Sequence, residues 1–282
     1  MILTIITINR HHAAGLERTM QSVAAQTRTD FEYVVVDGAS TDGSQNVIQK
    51  LSTSFSDRIR WISEPDAGIY SAMNKGIRMA TGEYVQFLNS GDYLVSNEVV
   101  DWMYEALEQN SFPNILYGNM IKEMRDGSLL RDKCFAGQDI TFLGFYTGTL
   151  NHSPAFIRRD LFDKYGLYDD SLKIVSDWKW YLQTIIFGDE KPIYVDLDVT
   201  RFDMTGISET NKTLDKAERN KVLEEFINPK ILNDYDRWSS SIDQMKRIQR
   251  HPWASKLVWF IERCLFKIEK AQRNRKGETQ YR

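Results

Sequence analysis

The sequence predicts an α/β fold: a mainly parallel sheet with helices on both faces, followed by a C-terminal helical extension. Three observations carry this. Over residues 1–90, short β-branched runs alternate with segments of helical apolar spacing. The runs are apolar almost without interruption, the pattern of strands buried on both faces. After Gly206 the texture changes to polar and charged, so the boundaries expected are 1–206 for the α/β domain and 207–282 for the extension.

The elements follow in order. Strands are predicted at Leu3–Ile8, Tyr33–Val36, Ile59–Ile62 and Tyr84–Leu88. Between them Leu16, Met20 and Val23, then Val47, Ile48 and Leu51, then Ile69, Met73, Ile77 and Ala80 recur at helical spacing. Gly82 suits the end of the third helix. A helix over 96–109 is carried by Val99, Val100, Met103 and Leu107. A strand at 115–118, a hairpin over 119–133 turning at Asp126-Gly127, and a strand over Ser153–Ile157 come next. A helix holds Trp178, Tyr181, Leu182 and Ile185, and Ile193–Asp196 is the last strand expected.

Composition narrows the function. A net charge of −3 over 282 residues argues against a nucleic-acid binder, which needs a large basic excess. No stretch reaches the roughly 20 apolar residues of a spanning helix. The start, MILTIITI, lacks the basic flank and cleavage site of a signal peptide, so a cytoplasmic location is expected. Cys134 and Cys264 form neither a disulfide framework nor a zinc motif.

In open α/β sheets ligands bind beyond the carboxyl ends of the strands. Three strand ends there are polar. In VVVDGASTDGS (34–44), Asp37 closes a buried strand and is read as a base or ribose contact, whereas Ser40 and Asp42 read as turn and cap residues. In SEPDAGIYSAMNKG (63–76), Asp66 stands where a nucleoside contact would come; Lys75 is read either as a nucleotide contact or as a solvated surface charge. In GEYVQFLNSGD (82–92), a strand runs into Asn89, Ser90, Gly91 and Asp92, and Asp92 offers the hard oxygen that Mg²⁺ or Mn²⁺ at a diphosphate requires. No GxGxxG follows the first strand, which removes the main support for a hydride-transfer enzyme.

Taken together these segments resemble the family-2 inverting glycosyltransferases of GT-A (Rossmann-like) fold, over roughly 1–206 and most densely over 31–92. The set EPD-GIY-AMNKG with FLNSGD is similar to bacterial members that build surface polysaccharides. The resemblance implies that Thr7, Asp37 and Asp66 contact the nucleotide of a nucleotide-sugar donor, UDP by likeness alone. It implies that the NSGD loop occupies the place of a DxD-type metal motif. There Asn89 and Gly91 replace the usual carboxylates, and Asp92 remains as ligand for a divalent metal. NHSPAFIRRDLFDKYGLYDD (151–170) resembles the segment before the catalytic base, with His152 bordering the acceptor pocket. In IVSDWKWYL (174–182), Asp177 falls on the base position beside Trp178. FDMTGIS (202–208) resembles a loop that closes over the donor.

Inverting transfer needs stabilisation of the departing diphosphate and a base for the acceptor hydroxyl. Asp92 with its metal is assigned the first task and Asp177 the second. Asp177 also reads as a helix N-cap, and His152 as a hydrogen-bonded structural residue. His11 and His12 read as surface loop. The acceptor expected is a glycan or a lipid-linked hydroxyl.

Residues 246–276 hold ten Lys/Arg against two Glu, with Trp253, Leu257, Phe260, Ile261, Cys264 and Ile268 on one helical face. Such a helix fits peripheral contact with an anionic membrane, at the inner face for a cytoplasmic protein. It equally fits packing on the catalytic domain or on another copy in a homo-oligomer. Two other functions compete: a nucleotidyltransferase, which would need a glycine-rich basic loop where 7–15 has only Gly15 and Arg10, and a non-catalytic nucleotide-sugar binder, suggested by Asn89 and Gly91.

Overall fold

The protein is described by a computed structural model covering residues 2–124, 126–204 and 210–276, without the side chains at 240, 243, 246 and 273–276. Its centre is β1 (Leu3–Asn9), whose seven residues are all buried. β2 (Glu32–Asp37) pairs parallel with β1, and β3 (Ile59–Ser63) parallel with β2. β4 (Tyr84–Phe87) lies parallel on the other side of β1. The order β3-β2-β1-β4 reverses direction at β1. That reversal opens a crevice between the carboxyl ends of β1 and β4, where such sheets bind ligands.

Helices α1 (Ala13–Ala24), α2 (Ser44–Ser52) and α3 (Ile69–Met79) cover this half. Their buried positions repeat at helical spacing: Leu16, Met20 and Val23 in α1; Tyr70, Met73, Asn74 and Ile77 in α3. α3 meets β1 closely at Gly76, where a Cβ would stand 2.4 Å from Ile6 Cγ2. Gly82 serves a different purpose from the helix end expected of it. It follows Ala80 in extended backbone, and a Cβ there would stand 2.7 Å from the Leu3 carbonyl carbon and the Thr4 nitrogen. The close approach of two chain segments, not a left-handed cap, requires the glycine.

The other half is mixed. α4 (Val99–Gln109) precedes β6 (Ile115–Glu123), which forms a hairpin with β7 (Leu129–Asp132) around Gly127 at φ +79°. β8 (Ala155–Arg158) runs antiparallel to both β4 and β6. β9 (Ile193–Phe202) pairs parallel with β6 and extends six residues beyond Asp196. Asp196 and Asp198 break the apolar run in sequence, but Lys133 pairs with the first and Arg131 with the second. The extension carries the chain to β5 (Tyr93–Leu94), its antiparallel partner after the NSGD loop. α5 (Phe142–Thr147), α6 (Asp160–Tyr165) and α7 (Ser176–Tyr181) flank this half, and α7 continues into π-type turns over Leu182–Phe187.

α8 (Lys212–Phe226) follows β9 and buries Glu218, Val222 and Leu223. Two compact units result, Met1–Glu225 and Phe226–Arg282, so α8 is counted almost wholly with the sheet. The second unit comprises α9 (Pro229–Gln249) and α10 (Pro252–Lys276), which pack on each other. Pro252 opens α10, where its missing N–H costs nothing. No helix among the described residues is long and apolar enough to cross a membrane.

Candidate active site

A cavity of about 740 Å³ opens at the β1–β4 switch point. Asp66, Asn89, Ser90, Asp92, His152, Asp177 and Trp178 all line it, from segments spread over more than a hundred residues. Thr7, Asp37 and Lys75 do not line it, and each has a definite place behind the wall.

Thr7 is fully buried; its hydroxyl donates to the Leu88 carbonyl and accepts from the Tyr33 hydroxyl, tying β1 to the end of β4. Asp37 is also fully buried. Strand register sets Asn9, Asp37 and Ser63 side by side at the sheet's carboxyl edge. Asn9 Nδ2 donates to one Asp37 oxygen, and Ser63 Oγ and the Ser40 amide donate to the other. Burial works to raise the Asp37 carboxyl, but these donors outweigh it and hold it below the usual carboxylate range. The ionised Asp37 therefore organises the loop floor. Lys75 Nζ lies 2.7 Å from Asp66 Oδ1 and 2.8 Å from Glu64, holding Asp66 at the cavity from behind. A Cβ at Gly38 would stand 3.0 Å from Asp66 Oδ2, so that glycine leaves room for the carboxylate.

The NSGD turn is clamped by α1. Thr19 Oγ1 donates to the Asp92 carbonyl and accepts from the Gly91 amide, and Arg18 donates to the Gly91 carbonyl. Gly91 has φ +108°, and a Cβ there would stand 2.6 Å from Asp203 Oδ2. The left-handed φ strains any side chain there, and one would also displace the Asp203 carboxylate, which favours glycine where a second carboxylate is usual. Ser90 Oγ donates to Asn9 Oδ1, and Asn89 Nδ2 lies 3.3 Å from His152 Nε2.

Asp92 is almost wholly buried, and its Oδ1 accepts the Asp203 amide. Burial pushes its carboxyl up to about 7, against the pull of that amide and of His152. A buried carboxylate held near neutrality lacks a strong cationic partner, which a divalent ion at that point would supply. Among the described residues no three His, Cys, Asp or Glu side chains converge on a metal position. If a hard cation binds here, Asp92 would be its one carboxylate ligand, and diphosphate and water would have to complete the shell.

Asp177 lies in the first turn of α7 and is surrounded by donors. His152 Nδ1 lies 3.0 Å from Oδ2; the Tyr70 hydroxyl and the Trp178 amide reach Oδ1 at 2.8 and 2.9 Å. Burial raises this carboxyl, but His152, Tyr70 and the amide together hold it below its ordinary value. Burial lowers the His152 imidazole, and Asp177, with help from Asp92, raises it above its ordinary value. Trp178 packs beneath, its indole N–H donating to the Phe145 and Gly148 carbonyls and its ring facing Arg219. The buried Glu218 of α8 accepts the amides of Lys173, Ile174 and Val175, fixing the approach to Asp177.

Asn9, His12, Tyr70 and Glu218 are site residues that sequence reasoning passes over. Asn9 ends a buried strand, the same signal used for Asp37. His12, expected in a surface loop, is half-buried, lines the cavity and contacts the Ser90 carbonyl, whereas His11 is exposed. Within 202–208, Phe202 and Asp203 line the cavity; from 205 onward the segment lies outside the described residues.

Sequence and structure comparisons agree with this fold. Residues 3–166 match the family described as Glycosyl transferase family 2. A PGL/p-HBAD biosynthesis glycosyltransferase of Mycobacterium tuberculosis is 29% identical over 182 residues, 64% of this chain and 69% of that protein. An uncharacterised glycosyltransferase of the same species is 30% identical over 213 residues, 73% of this chain and 76% of that one. Among solved structures, Staphylococcus aureus TarS 1-349 in complex with UDP-GlcNAc superposes with a TM-score of 0.61 at 19% identity, covering 74% of this chain and 61% of that chain. The mannosyltransferase PcManGT of Pyrobaculum calidifontis, in complex with GDP-Man and Mn²⁺, gives 0.59 at 18% identity, covering 73% and 58%. The chain thus spans about three-fifths of the length of these solved chains. The strand order, the switch-point cavity and the matched sequence converge: the sheet unit has the GT-A fold, and the chain belongs to glycosyl transferase family 2.

Proposed function

We propose that this protein is an inverting glycosyltransferase that moves a sugar from a nucleoside-diphosphate donor, a UDP-sugar, to a hydroxyl of a glycan or lipid-linked acceptor in polysaccharide assembly. One observation carries the reading: a single cavity holds Asp66 and Asp92 beyond the strand ends and, from the start of α7, the ionised Asp177. Asp66, braced by Lys75, faces the nucleoside. Asp177 takes the acceptor proton as the acceptor oxygen bonds to the anomeric carbon. The bond from that carbon to the diphosphate breaks on the opposite side, its electron pair leaving with the nucleoside diphosphate, which inverts the centre. His152 and Tyr70 hold the Asp177 carboxylate ionised and in place. Asp92 would hold a divalent Mn²⁺ or Mg²⁺ ion, which supplies charge to the departing diphosphate when bound.

The TarS complex with UDP-GlcNAc and the Mn²⁺ complex of PcManGT support the donor class and the metal. A thermal-shift screen of UDP- and GDP-sugars with and without Mn²⁺, followed by detection of released nucleoside diphosphate with a glycan acceptor panel, tests the proposal. Metal-enhanced stabilisation by a UDP-sugar and acceptor-dependent release of UDP are expected. Donor binding without release across the panel would favour a non-catalytic binder; pyrophosphate formed from UTP and a sugar phosphate would favour a nucleotidyltransferase.

A further inference from the structure

We infer that α10 is an amphipathic membrane-surface helix whose occupant is an anionic phospholipid bilayer. Stepping 100° per residue along α10 gathers Trp253, Leu257, Phe260, Ile261, Leu265 and Ile268 into one arc of roughly 140°, with Trp259 and Phe266 alone among the large apolar residues on the opposite side. These side chains face outward: Trp253 is 70% exposed and Phe260 61%. From Trp253 to Ala271 the arc runs about 27 Å at 1.5 Å per residue. That is a long apolar strip for a water-facing surface. It is nevertheless interrupted by charge too often to span a bilayer, in agreement with the lack of any spanning helix among the described residues.

Charge decides what covers the strip. Lys256, Arg263, Lys267 and Lys270 fall in a narrow arc along the Phe260 edge, and Glu262 and Glu269 lie away from it, beyond the Val258 edge. Among the described residues no carboxylate pairs with those four cations; Arg263 instead stacks on the Trp259 ring at 4.6 Å. A second copy of α10 laid antiparallel on the strip would bring a second row of cations to the first; a parallel copy would set them against Glu262 and Glu269, and light scattering separates that dimer from a membrane helix. An anionic bilayer offers acyl chains to the strip and phosphates to the cations at once, and long basic side chains reach the headgroups from such an edge. Free phosphate would meet the cations but leave the apolar strip in water.

The inference does not rest on the transfer reaction, so the two can fail separately. The full chain, without donor or acceptor, is sedimented with phosphatidylcholine vesicles and with vesicles of phosphatidylcholine and phosphatidylglycerol. Binding to the second only, weakened by high salt, is expected. Replacing Lys256, Arg263, Lys267 and Lys270 by Gln lowers vesicle affinity by about 100-fold or more, at the usual contribution per basic residue. Leu257→Ser with Ile261→Ser lowers it at unchanged charge. Circular dichroism and release of nucleoside diphosphate with a soluble acceptor check that the variants remain folded. Equal binding to both vesicle types, no binding to either, or a dimer by light scattering that these same substitutions dissociate would each overturn the inference.

Discussion

His152 Nδ1 stands 3.0 Å from Asp177 Oδ2, joining the segment that enters β8 to the first turn of α7. The contact raises the imidazole and lowers the carboxyl, so the two groups titrate as a pair. It resolves a conflict visible in the sequence. A helix N-terminus lowers a carboxyl, and burial raises it. Here three donors add to the first effect, and Asp177 remains ionised despite burial.

Asp177→Asn removes the proposed proton acceptor while keeping the shape. The expected result is a loss of turnover of about 10²–10⁴-fold, the usual weight of a general base. Donor affinity by calorimetry is expected to stay within a few-fold. Turnover near the wild-type rate would overturn the assignment.

His152→Gln can keep an N–H near Asp177 but removes the neighbouring positive charge. The Asp177 carboxyl then rises toward its ordinary value or above. Since the base must be ionised to act, the acid limb of the kcat/KM profile moves to higher pH. A purely structural histidine would lower the rate without moving that limb.

Asp92 tests the metal through stability. Its folded value of about 7 lies above its ordinary 3.8, so the native state retains a proton that the unfolded chain has released. That stabilisation is full below about pH 4 and is lost progressively as pH rises to about 7. Asp92→Asn removes this loss. Relative to wild type its Tm at pH 8 is expected to rise by roughly 2–4 °C, the shift that 1 kcal/mol gives in a domain of this size. Mn²⁺ with UDP should raise the wild-type Tm at pH 8 more than that of the variant. Identical pH slopes in differential scanning calorimetry would contradict the buried, cation-poor state of Asp92.

The parallel half of the fold is legible in the sequence because its signals are local. Buried strands read as apolar runs, helices as periodic stripes, and strand ends as polar breaks. Asp66, Asp92 and Asp177 stand out that way, since a carboxylate closing an apolar run is conspicuous. What escapes depends on distant partners. Tyr70 looks like one more apolar helix position until α7 brings Asp177 to its hydroxyl, 107 residues later. Asp196 and Asp198 end the last strand in sequence because Arg131 and Lys133, which neutralise them, belong to another hairpin. Thr7 and Asp37 stand at the right strand ends, but their atoms are engaged within the wall, and strand ends alone do not reveal depth.

Lys75 braces Asp66, the proposed nucleoside contact. Lys75→Met keeps the stem and removes the charge that fixes Asp66 at 2.7 Å. The donor KM is expected to rise about 10-fold, the weight of one charged hydrogen bond, with kcat nearly unchanged. A proportional fall in kcat with KM constant would place Lys75 in the chemical step instead.

Glu218 links the helix after the sheet to the catalytic end. Its two oxygens accept three consecutive amides, those of Lys173, Ile174 and Val175 at 2.8, 2.9 and 3.3 Å. These amides precede α7, where the intrahelical ladder leaves early N–H groups without partners. Glu218→Gln replaces one acceptor oxygen by an NH₂ that faces a donor. The loop must shift, and a displacement of about 1 Å at a reacting group can cost about 10²-fold in rate. The expected outcome is a kcat reduced by about 10-fold or more, a donor KM within about two-fold of wild type, and a stability loss of about 1–3 kcal/mol. Glu218→Asp keeps the charge but should not restore the rate, because a side chain one methylene shorter withdraws both oxygens from the amides. A variant that loses stability but keeps the wild-type kcat would show that α8 holds the fold without positioning Asp177.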